Sequence, residues 1–403
     1  MQRTFRRDRF TWLAYLSLAV YGYFLNVLGP ITPFLKDELH LSYTVSSFHF
    51  TAFAIGILLI GVGGHFLIQS IGKQRSLRLG LFGMSLSALI LLIGKTPIIT
   101  IGASFLMGLI GSLILAIVPA ALSDQHGEMK AVALSEANVL ASLFATAAPL
   151  LVGWFAQSVG SWRWALGIMA GIPILMLISL GMNSSPATTS SGVESPKTSR
   201  PLPALFWIYW VAIVLAVSVE FCMVFWSADY LEQVLGLIKA DAARAVSLFL
   251  AAMIVGRIFG SRLVQYFSAR AVVIVSIIIA AFGFLLFWSA ESSFLGLSGL
   301  FITGLGVANL YPLILSLAIS AAAGNTVQAG ARATLASGTA ILALPLILGG
   351  FADAVGIRLA YVVVLLLLVS VFLINQIAGR ILVHQSTSYE TNSKDRKRVD
   401  PAD

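Results

Sequence analysis

Gly64-His-Phe-Leu-Ile-Gln-Ser-Ile-Gly-Lys-Gln-Arg75 lies between two long apolar runs, and the chain echoes it at Gly260-Ser-Arg-Leu-Val-Gln-Tyr-Phe-Ser-Ala-Arg270. Gly64, Leu67 and Gln69 recur as Gly260, Leu263 and Gln265 at one constant offset. A chain that repeats itself across its midpoint reads as two halves. Gly72, Lys73 and Arg75 complete the first copy: glycine permits a tight turn between helices, and the cations anchor it at a membrane face.

Outward from this stretch the chain is 58% hydrophobic and 10% charged, with mean hydropathy +0.93, whereas soluble domains carry roughly 25% charged residues. Apolar runs near the ~20 residues that cross a bilayer as a helix recur along the chain, and a helical bundle is the class that satisfies the backbone in lipid. Twelve spans are expected, at 11–35, 45–70, 76–94, 98–122, 131–156 and 163–182, then 204–231, 242–266, 270–289, 293–320, 328–350 and 357–380. They form an N-terminal six-helix bundle (1–182) and a C-terminal one (204–382). A polar linker (183–203) joins them and a polar tail (383–403) follows. The basic N-terminus followed by a long run reads as a first span rather than a cleaved signal, because no small-residue cleavage site follows.

Of the 25 Lys and Arg, Lys36, Lys95, Arg163, Lys239, Arg244 and Arg358 fall on one side of this topology and all the others on the opposite side. The positive-inside rule makes that richer side cytoplasmic. Both termini are then inside a plasma (inner) membrane, and the net charge of +8 implies no nucleic acid. The single cysteine, Cys222, excludes a disulfide framework. No cofactor or metal is expected, and a monomer in the lipid bilayer is. The tail cations Lys394, Arg396, Lys397 and Arg398 suit anionic headgroups.

The two halves and their repeated loop resemble the major facilitator superfamily (MFS). In that family the loop after the second helix reads approximately Gly-x-Leu-x-Asp-Arg-x-Gly-Arg-Arg, matched here by Leu67, Gly72, Lys73 and Arg75, with Gln69 in place of the Asp. The resemblance implies alternating access between the halves, and it implies that the Asp helps latch the outward-facing state. With Gln69 uncharged, the latch is weaker or lies elsewhere. Val219-Glu-Phe, Trp226-Ser-Ala-Asp-Tyr-Leu231 and Gly256-Arg-Ile-Phe-Gly260 are similar to the fucose-permease-like and sugar-transporter-like branches.

A charge inside an apolar span costs about 2.5–3.5 kcal/mol by insertion scales, so Glu136, Glu220 and Arg257 each need a reason. Because the fifth and eighth helices meet across the halves in the superfamily, Glu136 and Arg257 are expected to form an interdomain gate in the outward-facing state. The alternative satisfies them separately, at a helix N-terminus and on backbone carbonyls. Glu220 has no basic neighbour in its own helix, and a carboxyl that is neutral when buried and charged when wetted suits proton coupling. Substrate binding or a structural hydrogen bond are its other roles. The fourth and tenth spans are interrupted by Gly108, Gly111 and Pro119 and by Gly304, Gly306 and Pro312, and corresponding broken spans point to the transport path. Tyr23, Asn26, Phe225, Trp226, Asn309 and Tyr311 are the cavity candidates, although Trp226 also fits an interfacial belt. His49 reads as an interfacial hydrogen-bonding group.

The reading is a secondary active, proton-coupled transporter of a small organic solute, sugar-like or similar. Efflux of amphiphilic compounds is the first alternative, because the cavity candidates are aromatic and no cationic substrate clamp stands out. A non-transporting sensor of the same fold is another. An enzyme is not expected, since no His-Glu-x-x-His or Gly-x-Ser-x-Gly arrangement occurs.

Overall fold

The computed structural model describes residues 6–180, 201–322 and 325–399. Most of the expected linker and the last residues of the tail lie outside the described residues.

Every regular element among the described residues is helical. The first group is α1 (Arg9–Leu39), α2 (Tyr43–Ile71), α3 (Lys73–Ile93), α4 (Pro97–His126), α5 (Lys130–Ser158) and α6 (Arg163–Leu180). The second is α7 (Ala204–Leu235), α8 (Lys239–Leu263), α9 (Ala269–Trp288), α10 (Ser293–Val307), α11 (Leu310–Ser320), α12 (Thr326–Val355), α13 (Ile357–Ala360) and α14 (Val362–Val399). Among the described residues ten stretches are long and apolar enough to cross a membrane. One of them, Pro97–Ser158, runs from α4 through a 3-10 turn at Gly127–Met129 into α5. A shorter apolar stretch, Arg163–Ile178, lies in α6.

The caps follow the sequence. Asp8 precedes α1 and its Oδ1 accepts from the Thr11 N–H at 2.8 Å and the Thr11 hydroxyl at 2.6 Å, filling donors a helix start leaves open. Partial burial pushes the Asp8 carboxyl up, but the bonds from Thr11, the nearby His126 and Gln125 together hold it below its ordinary value. Gly72, at φ 86° and ψ 152°, turns α2 into α3 with a backbone angle that side chains disfavour. The repeated stretch is therefore a helix end and a sharp turn in its first copy. In the second copy, Gln265 follows the end of α8 in a looser turn.

The expected span 293–320 divides at Ala308 and Asn309 into α10 and α11. Pro312 lacks an N–H and its ring collides with the carbonyl four residues earlier, which is Ala308. Pro119, by contrast, sits inside an unbroken α4. The last span also differs from its expected end at 380: it begins with the short α13, and the α14 backbone stays helical to Val399.

Helices before residue 180 pack on one another chiefly as α1 on α5, α2 on α4 and α3 on α4 and α6. Those after 203 pack as α9 on α10, α8 on α10 and α7 on α12 and α14. The two groups meet through α2 on α12, α5 on α8 and α1 on α7. Outward-facing side chains such as Phe66, Phe82, Ile178, Phe282 and Leu366 are exposed and apolar, the surface lipid requires. With lipid as apolar as the side chains, close backbone packing holds helices together. At Gly29 of α1 an added Cβ would collide with the backbone of Val224 and Phe225 in α7.

Candidate functional site

Where α1, α5, α7 and α8 converge there is a cavity of about 150 Å³, a volume that fits a small molecule. Helical spacing builds its walls, because residues three and four apart share a face. On α5, Asn138, Ser142 and Thr146 form a polar stripe, and on α1 Gly22 and Asn26 face it. The second group supplies Glu220 from α7 and Met253 and Arg257 from α8. Glu220 makes no hydrogen bond or ion pair with a described residue, and Arg257 is close enough to act on it electrostatically. Arg257 Nε donates to the Ala308 carbonyl at 3.4 Å, one of the carbonyls freed by Pro312.

From Glu220, α7 climbs at about 1.5 Å per residue to a plug and then a lock. Phe225 stacks on Phe50 of α2 with ring centroids 4.0 Å apart, and Trp226 lies edge-on to Phe50 while donating to the Pro345 carbonyl at 3.1 Å. Above them Lys36 Nζ donates to Asp229 Oδ1 at 2.5 Å, and the ammonium lies 4.0 Å from the Tyr43 ring centroid. Asp37 pairs with Lys239. Asp353 accepts from the Tyr43 and Thr44 N–H groups at 2.8 Å, and Arg244 donates to the Gly153 carbonyl at 3.1 Å. Among the described residues, the hydrogen bonds and ion pairs joining the two groups run from this far end down to Thr51, whose hydroxyl reaches the Leu342 carbonyl.

At the near end, where α1 begins, three contacts among the described residues each lie within one group. Arg7 grips Glu136 at 2.6 and 2.8 Å, Lys73 pairs with Asp124 at 2.7 Å, and Arg270 donates to Gln376 at 3.0 Å.

These contacts sort the candidates. The Glu136–Arg257 gate is not formed in this conformation: Glu136 is held by Arg7 and by the Tyr15 hydroxyl, and Arg257 lies in the cavity, so a cationic group does stand where none was expected. Asn26 and Glu220 line the cavity. Tyr23 does not, since its hydroxyl donates to the Ala165 carbonyl inside the first group. Phe225 and Trp226 form the plug instead. Asn309 staples α10 to α8 through the Gly256 carbonyl at 3.0 Å, packed against Gly260, and Tyr311 on α11 is half-buried beside the core. The broken helices are not the cavity walls. His49 is buried between the Ser46 carbonyl and Thr100. The repeated loops contribute turns and the Lys73 pair, with Leu67 packed on the core and Gln69 exposed.

Sequence reasoning passed over the α5 stripe and the Lys36–Asp229 lock. Four-residue polar spacing was the signal for the stripe, and a charge in an apolar run was the signal for Asp229.

The fold is shared with solved transporters. A bacterial homologue of the human lysosomal transporter Spinster, in an inward-facing and occupied conformation, superposes with TM-score 0.77 at 15% identity over 94% of this chain and 98% of that one. A D-xylose-proton symporter superposes with TM-score 0.73 at 16% identity over 92% and 96%, and the nucleoside transporter NupG with TM-score 0.71 at 12% identity over 92% and 98%. In sequence, the protein TsgA homolog of Edwardsiella ictaluri is 21% identical over 77% of this chain and 80% of its own. An uncharacterized MFS-type transporter of Yersinia pestis is 27% identical over 51% of this chain, a match spanning about half (53%) of that protein's length. The pattern of the Major Facilitator Superfamily matches residues 14–243, and the chain belongs to that family of multi-pass membrane transporters.

Proposed function

We propose that the protein is a proton-coupled secondary transporter of a small polar organic solute, working by alternating access in a bacterial inner membrane. Splitting Pro97–Ser158 at its 3-10 turn and counting α6 turns the ten apolar stretches into twelve crossings. With six in each bundle, 1–182 and 204–382 act as the two moving bodies, and the cation-rich near end is cytoplasmic.

One observation carries this reading: a carboxyl that pairs with no described residue, Glu220, lines a polar cavity between two groups of helices, and ion pairs join those groups at the far end. Such a conformation is inward-facing. When the halves rock, the lock parts and the near end closes. Glu220 is then the group that carries the proton, wetted from one side and then the other. The polar α5 stripe favours a hydrophilic solute over an amphiphile, since the aromatic candidates form the plug rather than the walls.

The test uses proteoliposomes and a panel of sugars, nucleosides and organic acids, with and without an imposed pH gradient. Uptake driven by the gradient is expected in the wild type. Glu220→Gln is expected to abolish accumulation while retaining exchange of labelled for unlabelled solute. Loss of both would assign Glu220 to solute binding, and a wild type that moves no member of the panel would favour the sensor reading.

A further inference from the structure

The cavity is chemically lopsided. On its first-half wall, Asn26 Nδ2 donates to the Gly22 carbonyl at 2.8 Å and Asn138 Nδ2 to the Leu134 carbonyl at 2.8 Å. Both amides thus spend an N–H on their own helix and leave a carbonyl oxygen to accept. The Thr146 hydroxyl donates to the Ser142 carbonyl at 2.9 Å, so its oxygen is also left as an acceptor. That wall holds neutral acceptors and, among the described residues, no carboxylate.

The opposite wall carries the Arg257 guanidinium. Its Nε makes one long bond to Ala308, and its two terminal nitrogens bond no described residue. Arginine presents a planar fork that fits a carboxylate with two parallel N–H···O bonds. Whenever Glu220 carries the transported proton, the guanidinium is left as a single positive charge in the cavity.

Resting on the transport reading above, we propose that the solute is a hydroxylated monocarboxylate, a sugar-acid type of molecule. Its carboxylate sits on the Arg257 fork, and its hydroxyls donate to Asn26, Asn138 and Thr146. A neutral sugar would leave the guanidinium without an anion. An amino acid would set its ammonium against a wall with no charge to meet it.

Binding and transport separate the two claims. The purified protein is heated in the presence of gluconate against sorbitol, glucuronate against glucose, and glycerate against glycerol, each at matched concentration. A ligand of the native state raises the unfolding midpoint. At least one carboxylate is expected to stabilise the wild type where its neutral partner does not, and Arg257→Gln is expected to weaken that carboxylate roughly 10- to 100-fold. Arg257→Lys, which keeps the charge and loses the fork, falls between, and it reports on the site should the glutamine variant fold poorly. Asn138→Ala is expected to weaken gluconate more than lactate, which has a single hydroxyl.

The proposal is overturned by neutral partners that bind as well as the acids. It is also overturned by acids that bind Arg257→Gln as well as the wild type, or by no acid binding at all. Acid binding without uptake in proteoliposomes leaves the proposal standing and removes the transport reading. Uptake of sorbitol or glucose unaffected by Arg257→Gln does the reverse.

Discussion

The two ends of the bundle use ion pairs differently. At the far end, Lys36 and Asp229 are 12% and 0% exposed and join α1 to α7 across the two groups. At the near end, Lys73 and Asp124 are 50% and 39% exposed and join α3 to α4 within one. A buried pair adds little net stability over an apolar substitute, yet removing one partner strands a charge. An exposed pair is screened and nearly indifferent. The far-end pair therefore fixes how the halves meet, while the Lys73–Asp124 pair acts inside one half.

Asp229→Ala is the harshest way to break this contrast. Stranding Lys36 costs about 3–5 kcal/mol, on the order of a hundredfold or more in the balance of closed to open far ends. Spin labels at Ile98 and Phe294, both exposed at the far ends of α4 and α10, are expected to move apart. Replacing both partners, as Lys36→Met with Asp229→Leu, removes the stranded charge and is expected to restore much of the closed population.

Gly29→Leu attacks the same contact sterically. Because the side chain would meet backbone of α7, which cannot rotate away, overpacking of about 1–3 kcal/mol is expected to widen the far end without touching a charge.

Asp8→Ala, at the near end, removes an N-cap and is expected to cost about 1 kcal/mol, read as a lower unfolding midpoint with the far-end distance unchanged. Since the Asp8 carboxyl is held below its ordinary value, its contribution is complete above that ordinary value. It fades as the pH falls through the lowered value, and the difference between wild type and variant is expected to vanish there.

Lys73→Ala is expected to do least, about 0–1 kcal/mol, with the same midpoint and spin-label distances within error.

The helical membrane fold was legible because its signals are local or periodic: apolar run length, and the Gly64–Arg75 stretch with its copy. Glu220 and Arg257 were legible as charges in apolar runs, but not as neighbours, because their approach depends on how α7 packs on α8. Tyr23 and Asn309 misled for one reason. A polar group in an apolar helix takes the nearest free carbonyl, here Ala165 and Gly256, and so can face away from any cavity. Pro312 broke its helix while Pro119 did not, and proline position alone does not separate the two. Lys36 and Asp229 are far apart in the chain, and nothing short of the packed α1–α7 contact pairs them.

The two ends are expected to open in alternation. Paired labels measure this directly: Ile98 with Phe294 across the far end, and Phe66 with Tyr266, both exposed, across the near end. In Asp229→Ala the far pair is expected to lengthen and the near pair to shorten, relative to wild type. A far pair that lengthens while the near pair keeps its wild-type distance, or two pairs that do not move, would contradict the account.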